Sequence, residues 1–109
     1  MDDLQKVDVM IVGAGPAGVS TWLHLKKHAP ELADRALLID KAAFPRPKLC
    51  GGGVWAWCED ILADLEIDIA EIPGLLRSDV AFGFQGRTWV YTSPRPFRMV
   101  RRDDFDMVL

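Results

Sequence analysis

Apolar positions crowd together near the start of the chain, where Val7, Val9, Ile11 and Val12 surround a single charge at Asp8. A short β-branched run of this kind predicts a buried strand of a parallel sheet, and it stops at Gly13. From Pro16 the spacing changes. Gly18, Thr21, Trp22, Leu25 and Ala29 recur at helical intervals and predict a helix that lays this face on the sheet. Ala36-Leu37-Leu38-Ile39 predicts a second strand, which closes a βαβ unit. Helical periodicity returns over Val54 to Leu65. Two apolar-rich runs around Gly86, Asp79 to Gln85 and Thr88 to Thr92, predict a hairpin. Phe97 to Val100 adds a third strand after the punctuation of Pro94 and Pro96. Asp103 to Leu109 reads as a helix with no stop signal behind it. The predicted class is α/β, a βαβ unit with a parallel sheet followed by the beginning of an antiparallel β region at residues 76–102.

The junction between the first strand and the first helix reads Gly13-Ala14-Gly15-Pro16-Ala17-Gly18. Each glycine answers a different steric demand of a turn built around a phosphate. Gly13 allows the sharp exit from the strand, Gly15 leaves room for a pyrophosphate against the backbone, and Gly18 lets the helix lie close to the sheet. Pro16 suits the first helical turn, where its missing N–H is not needed. The free amides and the positive end of the helix dipole then face the ligand. A bare glycine pattern also fits an ordinary tight turn, but the flanking strand, helix and second strand supply the context of a dinucleotide site.

Asp40 ends the second strand, about 20 residues beyond the last glycine, where the dinucleotide fingerprint places an acid. A carboxylate there accepts hydrogen bonds from ribose hydroxyls and repels a 2′-phosphate, favouring FAD or NAD over NADP. As a structural residue it would simply terminate a strand in a turn.

The next stretch distinguishes FAD from NAD. The glycine loop, then Asp40-Lys41, then Phe44-Pro45-Arg46 with Lys48 and Cys50-Gly51-Gly52-Gly53, resembles the geranylgeranyl-reductase-like branch of FAD-dependent oxidoreductases. That branch belongs with the flavoprotein hydroxylases and halogenases of the para-hydroxybenzoate hydroxylase type. Val100-Arg101-Arg102-Asp103-Asp104-Phe105-Asp106 resembles the same family's next landmark. The resemblance implies a Rossmann-like FAD-binding domain. Its cofactor-binding positions are Gly13, Gly15, Pro16, Ala17, Gly18, Asp40, Lys41, Lys48, Cys50, Gly51, Gly52 and Arg102. By position, Arg102 belongs near the phosphate and ribose region, with Arg101 the weaker candidate of the pair. Arg46 and Lys48 add positive charge beside the Cys50 loop, although a solvated proline-rich turn would look the same. The resemblance further implies flavin-based reductase or monooxygenase chemistry, NAD(P)H as a candidate electron donor, and a hydrophobic or aromatic small-molecule substrate. An NAD-binding dehydrogenase domain and a non-catalytic nucleotide-binding remnant are the alternatives.

Catalytic residues are not legible. Cys50 could be a reactive thiolate beside a glycine loop and two cations, or a small polarizable packing residue. His24 and His28 share a helix face but lack a third metal ligand, and no zinc spacing links Cys50 to Cys58, so no metal is expected. Trp55 and Trp57 fit core or interface packing better than flavin stacking.

Composition narrows the remaining classes. With 50% hydrophobic residues, 27% charged residues and a net charge of −3, nothing favours nucleic acid as a partner. Two cysteines make no disulfide framework, the acidic start is unlike a signal peptide, and no apolar stretch is long enough to span a bilayer, so a cytoplasmic protein is expected. At 109 residues the chain is several times shorter than the enzymes it resembles and lacks their later flavin motif, so it reads as an incomplete FAD-binding domain, inactive alone.

Overall fold

The computed structural model describes residues 6–109. In chain order the elements are β1 (Val9–Val12), α1 (Pro16–His28), α2 (Pro30–Ala33), β2 (Ala36–Ile39), β3 (Gly53–Val54), α3 (Ala56–Asp64), a 3-10 turn at Ile69–Glu71, β4 (Gly74–Phe84), β5 (Arg87–Val100) and α4 (Arg102–Val108). Strands β1 and β2 pair in parallel, from Val9 opposite Ala36 to Val12 opposite Ile39. The other three form an antiparallel sheet in the order β3-β5-β4.

The βαβ unit matches the periodicity, but its burial is one-sided. Val9 and Ile11 are half-buried, whereas Met10 and Val12 on the opposite face are exposed. The expected two-sided burial of β1 therefore does not occur among the described residues. The expected helix face departs only at Thr21: Gly18, Trp22, Leu25 and Ala29 are half-buried beside the buried Val19, while Thr21 is exposed and donates its hydroxyl to the carbonyl of Ala17. Trp22 lies under the ammonium of Lys26, 5.1 Å from the ring centroid.

Proline did not break the second sheet as predicted. β5 runs as one strand through Pro94 and Pro96. The ladder explains this. Arg77 pairs with Phe97 and Asp79 with Thr92, so Ser93 to Pro96 bulge out opposite Ser78 and no ladder N–H is required of either proline. The third strand is β3, paired to Met99 and Arg98, and Val54 belongs to it rather than to the helix that follows. At the hairpin tip, Gln85 and Gly86 both have positive φ, the backbone of a two-residue turn that follows the strand twist. The hairpin gives the molecule its length, 64 Å against 27 and 25 Å in the other directions.

The main core lies where the antiparallel sheet meets α3 and α4: Val54, Ile69, Ile72, Val100 and Phe105 are buried together, with Cys58, Leu62 and Leu109 against them. Full burial of Ile72 contributes on the order of 2 kcal/mol. Ion pairs fasten α3 to its neighbours, among them Lys27 of α1 to Asp64 at 2.7 Å and Arg95 of β5 to both oxygens of Asp60 at 2.8 Å. This framework seats β3 and α4 beside the first turn of α1.

Candidate nucleotide-binding site

Strand register brings the first two site elements together. The parallel ladder continues one step past β1, with the amide of Gly13 donating to the carbonyl of Ile39 at 2.7 Å. The residue after Ile39 is Asp40, so its carboxylate arrives at the glycine loop. One oxygen accepts the N–H of Ala14 at 2.8 Å and the other that of Ala42 at 2.7 Å. These two amides, Ala14 first, hold the Asp40 carboxyl below its ordinary value. A carboxylate has about four lone-pair sites, so acceptor capacity is left for a ligand hydroxyl.

The three glycines of the loop differ in what surrounds them. Gly13 adopts φ +106°, a conformation L side chains rarely take, with open space where a Cβ would be. At Gly18 a Cβ would fall 1.7 Å from the Gly13 carbonyl oxygen, so this glycine permits the contact between helix and strand. At Gly15 a Cβ would meet only Nη2 of Arg46, at 3.5 Å. Helix α1 starts on Gly15 with no side-chain cap and no acid in its first turn. Its leading amides have no acceptor within the helix and carry the positive end of the dipole.

Arg46 is the residue that reading along the chain left undecided. Its side chain is mostly buried, its guanidinium lies over the Phe44 ring at 4.8 Å, and Nη1 stands 3.2 Å from Oδ2 of Asp106. Asp106, on α4, has no side-chain exposure and accepts from Arg102 through Nε at 2.7 Å and Nη2 at 3.0 Å. Asp106 chiefly holds Arg102 even more firmly charged than usual. Two guanidiniums therefore share one buried carboxylate next to the glycine loop. The spacing of Arg102 and Asp106 is a helical ion-pair signal that could have been read from sequence. The approach of Arg46 to them could not.

The Cys50 loop has a different character from the first. Gly52 is buried at φ +76°, and a Cβ there would fall 2.0 Å from the carbonyl oxygen of Val100, whose amide in turn donates to the Gly52 carbonyl at 2.8 Å. The demand at Gly52 is packing against β5. Gly51 is exposed with nothing near its Cβ position. The thiol of Cys50 accepts the Gly52 N–H at 3.4 Å, and that amide, then Arg102, draws the thiol below its ordinary value. Lys41 and Lys48 are exposed, and Arg101 pairs with Asp103 at the surface. Trp55 packs on Phe97 with ring centroids 4.7 Å apart, Trp57 is exposed, and His24 and His28 stack on each other along α1. No group of three or more metal-ligating side chains occurs among the described residues.

Between the first turn of α1, β3, α3 and α4 lies an apolar cavity of about 400 Å³, a volume typical of small-molecule sites. Pro16, Ala17, Val54, Leu62 and Phe105 line it, and Cys50 and Arg102 are part of its wall.

Comparison with solved structures gives this geometry a context. The chain superposes on the flavin-dependent brominase Bmp2 with a TM-score of 0.68 and 28% identity, over 94% of this chain and 26% of the brominase. A triple mutant of the same brominase gives 0.67 and 30% identity over 93% of this chain. The chain has the α/β fold of the matching part of this flavin-dependent brominase. That is the α/β class expected from the sequence. Among curated proteins, the chain is 35% identical over 66 residues to conditioned medium factor receptor 1 of Dictyostelium discoideum, covering 61% of this chain and 12% of that protein. It is 45% identical over 56 residues to an uncharacterised protein of Methanosarcina barkeri, covering 51% of this chain and 13% of that one. No family model matches the chain. It thus spans about an eighth of these curated relatives and about a quarter of the brominase. Among the described residues no helix is long and apolar enough to cross a membrane.

Proposed function

We propose that this chain is the FAD-binding part of a flavin-dependent oxidoreductase. One observation carries the reading: Asp40, the open face of Gly15 and the guanidinium of Arg46 converge on the uncapped N-terminus of α1. Amides and a guanidinium there suit a pyrophosphate, and the remaining acceptor capacity of Asp40 suits the adjoining ribose. The residues fit the group on a point of this structure, since the space a Cβ would take at Gly15 holds only Nη2 of Arg46, at 3.5 Å, and the helix behind it has no side-chain cap.

In this reading the backbone of Gly13 to Gly18 binds the pyrophosphate, Arg46 and Arg102 supply positive charge, and Asp40 orients the ribose. The apolar cavity beside Pro16 and Ala17 offers an apolar wall next to the bound group. Bound flavin would supply hydride or oxygen chemistry, with NAD(P)H as the proposed electron donor. A reductase or monooxygenase of the geranylgeranyl-reductase-like type, acting on a hydrophobic or aromatic small molecule, is the proposed parent activity. The brominase neighbour supports the flavin half of that statement.

An absorption spectrum of the purified chain tests the cofactor, taken before and after incubation with FAD and removal of free flavin. Retention of a flavin band is the expected result. A folded chain that retains no flavin but binds NAD would overturn it.

A further inference from the structure

Asp106 is a carboxylate with no solvent exposure, and the apolar core around Phe105 has no use for its charge. Such a group is costly to bury unless its partners depend on it. Arg102, one helical turn earlier, takes both oxygens in a two-pronged pair, which fixes the carboxylate plane. Oδ2 then faces Nη1 of Arg46 at 3.2 Å. Phe44 supports the same guanidinium from its face at 4.8 Å, and Nη2 is left beside Gly15. Carboxylate, ring and glycine loop therefore hold Arg46 from three directions.

Two guanidiniums share Asp106, and the Asp40 carboxylate across the glycine loop, whose charge Arg46 also favours, accepts from the amides of Ala14 and Ala42. The first turn of α1 itself carries no acid. Its leading amides and the Nη2 edge of Arg46 are left to meet an incoming anion.

We propose that Asp106 is a positioning residue for this anion site, turning Arg46 so that its free edge addresses a pyrophosphate on the glycine loop. The inference rests on reading that loop as a phosphate site. It concerns orientation rather than charge, and the two make opposite predictions. If Asp106 only diluted the positive field, its removal would tighten anion binding. If it orients Arg46, its removal weakens binding.

The test is calorimetric titration of the full chain with ADP, and with adenosine as a probe lacking the pyrophosphate. Asp106→Asn is expected to weaken ADP binding roughly ten- to a hundredfold, the range for charge-assisted hydrogen bonds, and to leave adenosine unchanged. In an Arg46→Gln background, which keeps the Arg102–Asp106 pair, the loss caused by Asp106→Asn should shrink, because the group it positions is gone and only its hold on Arg102 is left to lose. Where Asp106→Asn fails to fold, Asp106→Glu retains the charge, displaces the carboxylate, and is read through the same cycle. Unchanged or tighter ADP binding, an equal loss for adenosine, or an undiminished loss in the Arg46→Gln background overturns the proposal. A folded parent chain that binds no ADP at millimolar concentration overturns the phosphate reading itself, and the proposal with it.

Discussion

The carboxylate of Asp40 accepts the amide N–H of Ala14 at 2.8 Å, joining the end of β2 to the first turn after β1. Its other oxygen takes Ala42, so a single side chain shapes two backbone segments. The folded state lowers the Asp40 pKa, chiefly through Ala14 and then Ala42. A depressed carboxylate stabilises the fold at pH values above its unfolded pKa, and this contribution disappears as pH falls through the folded value. Asp40→Ala should therefore lower the urea midpoint at pH 7, and the gap between parent and variant should close below about pH 4. A gap independent of pH would mean that the carboxylate charge is irrelevant to the loop.

The glycine loop separates folding from binding. Gly18→Ala drives a Cβ into the Gly13 carbonyl and against Ile11, and should destabilise the chain by about 1–3 kcal/mol or more in thermal or denaturant unfolding. Gly15→Val meets only the guanidinium of Arg46 at its Cβ, so it should fold while losing dinucleotide retention. Flavin retained by Gly15→Val as well as by the parent would refute the phosphate assignment.

The second glycine cluster divides in the same way. Gly52→Ala meets the Val100 carbonyl from a positive φ and should cost about 1–3 kcal/mol, whereas Gly51→Ala enters open space and should leave unfolding unchanged. Any loss of flavin retention in the stable Gly51→Ala chain would then report close approach of the cofactor. Equal destabilisation by the two substitutions would contradict the packing described for Gly52.

Cys50 lies exposed beside Arg102, with its thiol drawn down by Gly52 first and Arg102 second. The thiolate is the reactive form, so iodoacetamide labelling of Cys50 should rise at lower pH than for an ordinary thiol, and Arg102→Ala should move the midpoint back up. Half-buried Cys58 should label more slowly. Cys50→Ser should leave flavin retention largely intact. Mass spectrometry of the labelled peptides across a pH series gives the first three readouts. An unmoved midpoint in Arg102→Ala would remove Arg102 as a cause.

Sequence reading located the α/β class, the βαβ unit and the glycine loop because each is written in local terms. Strand and helix announce themselves by period, and the steric needs of Gly13 and Gly18 follow from a turn only six residues long. The spacing of Asp40 was equally legible, since a βαβ unit has a nearly constant length. Its engagement by Ala14 depends on the ladder register.

Tertiary structure alone decided the rest. Pro94 and Pro96 read as strand breakers until the bulge opposite Ser78 showed that no ladder N–H was required of them. The need for glycine at Gly52 comes from Val100, whose carbonyl lies where a Cβ would be. Arg46 was indistinguishable from a solvated turn residue because burial of its guanidinium depends on Asp106, which a different element carries. Periodicity and motif spacing report what neighbouring residues do to one another. Which distant charges share a buried carboxylate is determined by where α4 meets the loop that carries Arg46, and no local pattern along the chain encodes it.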